Sequence, residues 1–305
     1  MQLSLPMKLR IAASAATGVA LIGILGWPLA TPHDPFGIVS ITVGSLNFAN
    51  GIIFLAPLAV LVGLIAYFLC WPYGREIGIL AVPSGLAIWA VRCGSMANLI
   101  QLNPTLAQRQ ELFISIRWEP IFWLIVVAAG FLGVFLGWKM CPKKTGQDKV
   151  QEKSHFNLNT YIINAIIALG GSVLIAQFCI AVLAQGIRIF DSKLGSVMSQ
   201  PSVGQIVFAV LVSFGLAAFI VKKAFDINYT WSIIASGFVT VFVNSVYLRE
   251  NALQHLIDRY PAVFFINPVM AILPVQMVVF GTLGSIAGYW LAVQYNYWRK
   301  HEMIP

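Results

Sequence analysis

The side chain with most chemical potential in this 305-residue chain is Arg92. It falls some fifteen residues into an apolar stretch from Ile77 to about Ala97, roughly 22 Å from the start of that stretch if it is helical. A full charge among apolar neighbours marks a functional site by default, because it must find a partner, water or a route to the membrane surface. Glu119, Gln177, Asn244 and Gln276 fall at comparable outward positions in other apolar stretches. If the five converge, they form a polar vestibule opening outward. Its guanidinium would favour an anion or a carboxylate-bearing solute, through paired N–H donors. If they do not converge, Arg92 and Glu119 form an interfacial or structural ion pair.

The parts of a catalytic site are missing. His33, His155, His255 and His301 fall in connecting segments or the tail, and no aspartate lies inside an apolar stretch. There is no H-E-x-x-H, no G-x-S-x-G and no P-loop. No catalytic residue, metal or cofactor is therefore expected. Cys70, Cys93 and Cys179 sit in or beside apolar stretches as small hydrophobes, and Cys141 begins a lysine-rich segment. No close pair or C-x-x-C motif joins them.

Composition sets the class that must position these residues. The chain is 59% hydrophobic and only 10% charged, with a mean hydropathy of +0.82. A soluble fold cannot hide that much apolar surface, so an all-α polytopic membrane protein is expected. The net charge of +8 lies in short segments at membrane edges, where lipid and orientation account for it. No basic groove with interleaved aromatics is present, so nucleic acid is not an expected partner.

Eight spans are expected: Ile11–Ala30, Gly51–Trp71, Ile77–Ala97, Trp118–Trp138, Leu158–Ala184, Gly204–Val221, Thr230–Leu248 and Asn267–Gln294. The first reads as a retained span, because it is long for a signal peptide and Trp27-Pro28-Leu29-Ala30 is a poor cleavage site. The stretch from Pro32 to Asn50 is expected at the interface. Short amphipathic helices are expected before spans 4 and 8. Asn103-Pro104 would open the first, and Asn251 to Tyr260 would form the second. Placing both termini inside puts twelve of the nineteen basic residues on the inner side and six on the outer, with Arg92 in a span. That bias predicts cytoplasmic termini in a cell (inner) membrane.

The chain also aligns with itself. At an offset of 152, Gly63-Leu64 falls on Gly215-Leu216 and Ser84-Gly85 on Ser236-Gly237. At 151, Gly130, Gly133 and Gly137 fall on Gly281, Gly284 and Gly288. The expected organisation is a first four-helix half (1–138), a lysine-rich cytoplasmic linker (139–157) and a second half (158–305). The halves share one orientation, and a pseudo-two-fold axis along the membrane normal relates them. The six glycines share a helix face within each triplet, which suits a packing seam or a sliding surface between halves. Two functions remain open. One is a small permease or facilitator for a small solute, anionic if the Arg92 vestibule forms. The other is a scaffold or subunit that holds membrane partners or a second copy of itself in the lipid bilayer.

Overall fold

The computed structural model describes residues 4–30, 38–39, 46–141, 158–247, 250–260 and 263–302. Most of the Pro32–Asn50 stretch and most of the lysine-rich linker lie outside these residues. The protein is about 80% helical. Six helical stretches are long and apolar enough to cross a membrane: 5–25, 74–92, 106–140, 160–183, 203–225 and 274–299. Two shorter apolar helices, Ile53–Leu69 and Thr230–Ser245, stand where the second and seventh spans were expected. The chain is an all-α membrane protein.

Helix α1 (Leu5–Gly18) runs into a π-helical stretch, Val19–Leu25, and the short α2 (Trp27–Ala30) follows. The first span thus starts and ends several residues earlier than its hydropathy suggests. The wider π turn loosens the carbonyl ladder. One oxygen there, that of Ile22, accepts from Trp89 Nε1 at 2.8 Å. Helix α3 (Leu46–Leu69) contains Pro57. The third span is not one helix: α4 (Gly74–Ile77) passes through a 3-10 turn into α5 (Ala81–Arg92). Ser14 Oγ on α1 donates to Ile77 O at 3.0 Å where that break occurs.

Gly94, at φ +81°, then turns the chain, and Ser95 caps α6 (Met96–Gln101). The first amphipathic helix, α7 (Leu106–Ile116), is capped by Thr105 and not by Asn103. Thr105 and Gln108 exchange hydrogen bonds as a capping box, while Asn103 Nδ2 donates back to Leu99 O. Helix α8 (Glu119–Met140) completes the first half.

The second half comprises α9 (Leu158–Leu183), α10 (Val203–Phe225), α11 (Thr230–Tyr247), the amphipathic α12 (Glu250–Arg259) and α13 (Pro274–Glu302). A small antiparallel sheet is the element hydropathy did not foresee. Strands β1 (Arg188–Asp191) and β2 (Gly195–Ser199) form a hairpin, and β3 (Phe264–Phe265) pairs with β2. Its strands are too short and too near the apolar helices to register in a helix-length hydropathy window.

Helices α3 and α8 pack along their length, as do α10 and α13. The two halves meet where α13 lies on α5 and α8, and where α11 lies on α8. Across the end of the bundle α7 of the first half touches α12 of the second.

Candidate functional site

The six glycines lie at the close approaches inside each half, not between the halves. A Cβ on Gly133 would strike the backbone oxygen of Val60 on α3, and one on Gly284 would strike that of Leu211 on α10. Gly288 faces the backbone of Gly215. Gly130 lies against the Val82 side chain, Gly137 against the Tyr67 ring, and Gly281 against Ser236 and Phe214. Backbones this close leave no room for a side chain, and close packing of this kind is what holds helices together in lipid.

The five polar residues divide. Arg92 is the last residue of α5 and is exposed, its guanidinium 4.9 Å from the centre of the Trp27 ring. The turn at Gly94 ends the span sooner than the apolar run does, so Arg92 reaches the surface and does not face the bundle interior. Glu119, only 3% exposed, is the first residue of α8 and accepts from Trp123 Nε1 at 3.0 Å. A carboxylate suits the first turn of a helix, where N–H groups point outward from its end. Gln276, 1% exposed, accepts from Leu273 N at 3.2 Å and donates to Ala90 O at 3.1 Å, which ties α13 to α5. Glu119 and Gln276 are both within electrostatic reach of Cys93.

Asn244 belongs to a longer pattern. Ser232, Ser236, Thr240 and Asn244 recur at every fourth position of α11, and all four are buried. The exposed positions between them, Ile234, Phe238 and Phe242, are apolar. The usual arrangement for a membrane span is therefore present, with lipid-facing hydrophobes on one side and polar groups turned to the bundle. Ser232 Oγ is 3.0 Å from Ser172 Oγ on α9, and Ser236 Oγ donates back to Ile233 O at 2.6 Å. Further along α11, the Thr240 hydroxyl and the Asn244 amide nitrogen have no hydrogen-bond partner among the described residues. Gln177 Nε2 on α9, Ser213 Oγ on α10 and Ser285 Oγ on α13 share that condition.

Ser236 packs on Gly281 and so sets the depth of α11 against α13. At a rise of about 1.5 Å per residue, Thr240 then lies near the depth of Gln276, and Ser285 lies about one turn beyond Gly281 on the other side, more than two turns from that depth. The sequence signal for this line was a period-four recurrence of small polar residues in an apolar helix. Reading Asn244 alone misses it.

A second polar cluster sits outside the bundle. Asp191, at the end of β1, accepts from the backbone N–H groups of Lys193 and Leu194, each at 2.8 Å. It also accepts from Tyr260 Oη at 2.8 Å and lies 3.0 Å from His255 Nε2. Bonds from His255, from the Leu194 N–H and from Tyr260 hold the Asp191 carboxyl well below the usual carboxylate range. The same contact with Asp191 raises the Tyr260 phenol. An ionised carboxylate only accepts, so His255 Nε2 carries the hydrogen that faces it. The cluster clips the hairpin to α12.

The chain matches no known protein family, no curated protein and no solved structure.

Proposed function

We propose that the chain is a small permease or facilitator, and that its solute follows the polar line on α11. The observation that carries this is the pair of buried groups, the Thr240 hydroxyl and the Asn244 amide nitrogen, without a protein partner among the described residues. Leaving a buried polar group unpaired costs about 1–3 kcal/mol, and buried polar groups in proteins are nearly all paired. A line of such groups is what a passing hydrogen-bonding solute requires.

The nature of the solute follows from which groups line the path. A preference for anions rested on Arg92 in a vestibule. With Arg92 against Trp27 at the surface, the unpaired groups on α9, α10, α11 and α13 are all neutral, and the charged member of the set, Arg117 Nε, lies at the end of α7. We therefore assign the path to a small uncharged molecule rich in hydroxyl or amide groups.

In this reading eight helices cross the membrane and the two halves descend from one four-helix unit. The contact of Gly133 with Val60 O recurs as Gly284 with Leu211 O, both members displaced by 151 residues. At the same displacement Trp138 falls on Tyr289, and each ring carries a cation, Arg75 at 4.8 Å and Lys222 at 4.9 Å. Most cation–ring pairs gather at one end of the bundle, where Arg10 lies over Tyr73, Lys139 over Phe135 and Lys223 over Tyr295, while Arg92 over Trp27 and Arg117 over Trp118 lie at the other. That end is taken as cytoplasmic, where basic residues and interfacial aromatics collect, with both termini on it. The test of function is the swelling of proteoliposomes in a panel of small neutral solutes, compared with protein-free vesicles.

One observation favours the scaffold reading instead. Phe190 on β1 and Ile187 just before it are exposed, at 82% and 74%, and β1 is an edge strand with no further partner among the described residues. An apolar strand edge of this kind is a template for pairing with another chain. Proteoliposomes no more permeable than protein-free vesicles, together with co-purification of a second membrane protein, would favour it.

A further inference from the structure

We infer that the open edge of β1 pairs with β1 of a second copy of this chain, antiparallel, about a two-fold axis at Ile189. The sheet order is β1-β2-β3, so β1 is paired along one edge only among the described residues. Its register on β2 sets Ile189 opposite Val197 and Asp191 opposite Gly195. Just before the strand, Ile187 O accepts from Ser199 N at 3.0 Å. Bonded pairs alternate along an antiparallel ladder, so Ile187, Ile189 and Asp191 turn their backbone groups to β2. Arg188 and Phe190 turn theirs to the open edge.

That alternation fixes the register a second copy can adopt. A two-fold axis through an antiparallel pair sets one residue opposite itself. With Ile189 on the axis, Arg188 lies opposite Phe190 of the second copy, and the two exchange both backbone bonds. Centring on Arg188 would oppose two guanidinium groups. Centring on Phe190 would run Arg188 into the turn.

The side chains suit the Ile189 register. Arg188 and Phe190 share one face of the strand and are both exposed. Each guanidinium then reaches the opposite Phe190 ring, twice by symmetry. The chain already uses arginine over a ring at Trp27, Trp118 and Trp138. On the other face the exposed Ile189 meets its own copy, with Cα atoms about 4.5 Å apart.

Lipid is a poor cover for this edge, because it leaves backbone N–H and C=O groups unsatisfied. The strand is short beside the roughly 800 Å² that each partner buries in a stable complex in water. Two copies in one bilayer are confined to a plane, which raises their effective concentration as a tether does. Helix α9 ends just before β1, and its exposed Phe178 and Val182 offer further apolar surface near the strand. The inference does not depend on transport.

The test uses the full chain in native membranes, with Cys141 and Cys179 replaced by serine and a mild oxidant added. Ile189→Cys should link most of the protein into a disulfide dimer, since Cα atoms about 4.5 Å apart are within disulfide reach. Ile187→Cys is also exposed, but its two copies lie roughly 14 Å apart in this register, so it should link at least tenfold less. Adding Phe190→Arg to Ile189→Cys sets like charges opposite each other and should cut the linking at least tenfold. Adding Arg188→Glu as well makes the opposed charges unlike and should restore it. Absent linking at position 189, equal linking at 187, or no restoration would overturn the pairing. A different membrane protein that co-purifies with the parent but not with Phe190→Arg would give the edge to that partner and overturn the second copy.

Discussion

Gln276 Nε2 on α13 donates to the carbonyl oxygen of Ala90 on α5 at 3.1 Å, a bond between residues 186 positions apart that joins the two halves inside the bundle. Outside it, Gln200 bridges the same halves, accepting from Ala97 N at 3.1 Å and donating to Ala271 O at 2.9 Å. The halves are therefore fixed to each other by neutral amide side chains at two depths. The glycine contacts do a different task, closing each half upon itself.

That division predicts which glycines tolerate a side chain. Gly133→Leu or Gly284→Leu must displace a helix backbone, and overpacking of this kind costs typically 1–3 kcal/mol, often more against backbone. Gly170 has open space where its Cβ would be, so Gly170→Leu should melt like the parent. Thermal unfolding in detergent distinguishes them, and equal midpoints for all three variants would show the close approaches to be misplaced.

Arg92 should be dispensable for folding. An exposed cation over an indole is worth about 0.5–1 kcal/mol, so Arg92→Leu should lower stability by no more than that and Arg92→Lys by less. A loss of several kcal/mol in the leucine variant would mean that the guanidinium has a buried partner after all.

These residues show how far the sequence could be read. Helix positions and apolar faces were legible because a span must be about 20 residues long and lipid tolerates few charges. Arg92 was misjudged because hydropathy sees Val91, Cys93, Met96 and Ala97 as a continuing span. The turn that ends α5 depends on Gly94 at positive φ and on Ser95 as a cap, which hydropathy does not weigh. Asn244 and Gln276 were legible as polar exceptions. The sheet and the clip at Asp191 were not, since they depend on pairing between segments up to 69 residues apart.

The clip gives a pH dependence of definite sign. Asp191 is held below its usual value near 3.9, so folding and the bound hairpin gain from it at neutral pH. That gain is fully present above about pH 4 and is lost as the pH falls through the folded value, where the carboxyl takes up a proton. Asp191→Asn should lose the gain at every pH and flatten the acid limb of the melting profile. A parent and variant with parallel profiles from pH 7 to pH 3 would remove the clip from the account.

Orientation can be read on intact cells after replacing Cys141. Ser192→Cys in the hairpin should react with an impermeant maleimide, and Ala224→Cys near the end of α10 should react only after lysis. The reverse pattern would place the end that carries Arg75 over Trp138 and Lys222 over Tyr289 on the outer side.

The central claim is that solute passes along α11, and flux through reconstituted variants tests it most directly. Thr240→Val and Asn244→Leu remove hydrogen-bonding groups with little change in bulk, and because those groups lack partners the folded protein should be as stable or more so. Uptake of a small neutral polyol or amide into proteoliposomes should fall at least tenfold in the double variant, with Gly170→Leu as the unaffected control. Uptake equal to the parent in a stably folded double variant would contradict the path.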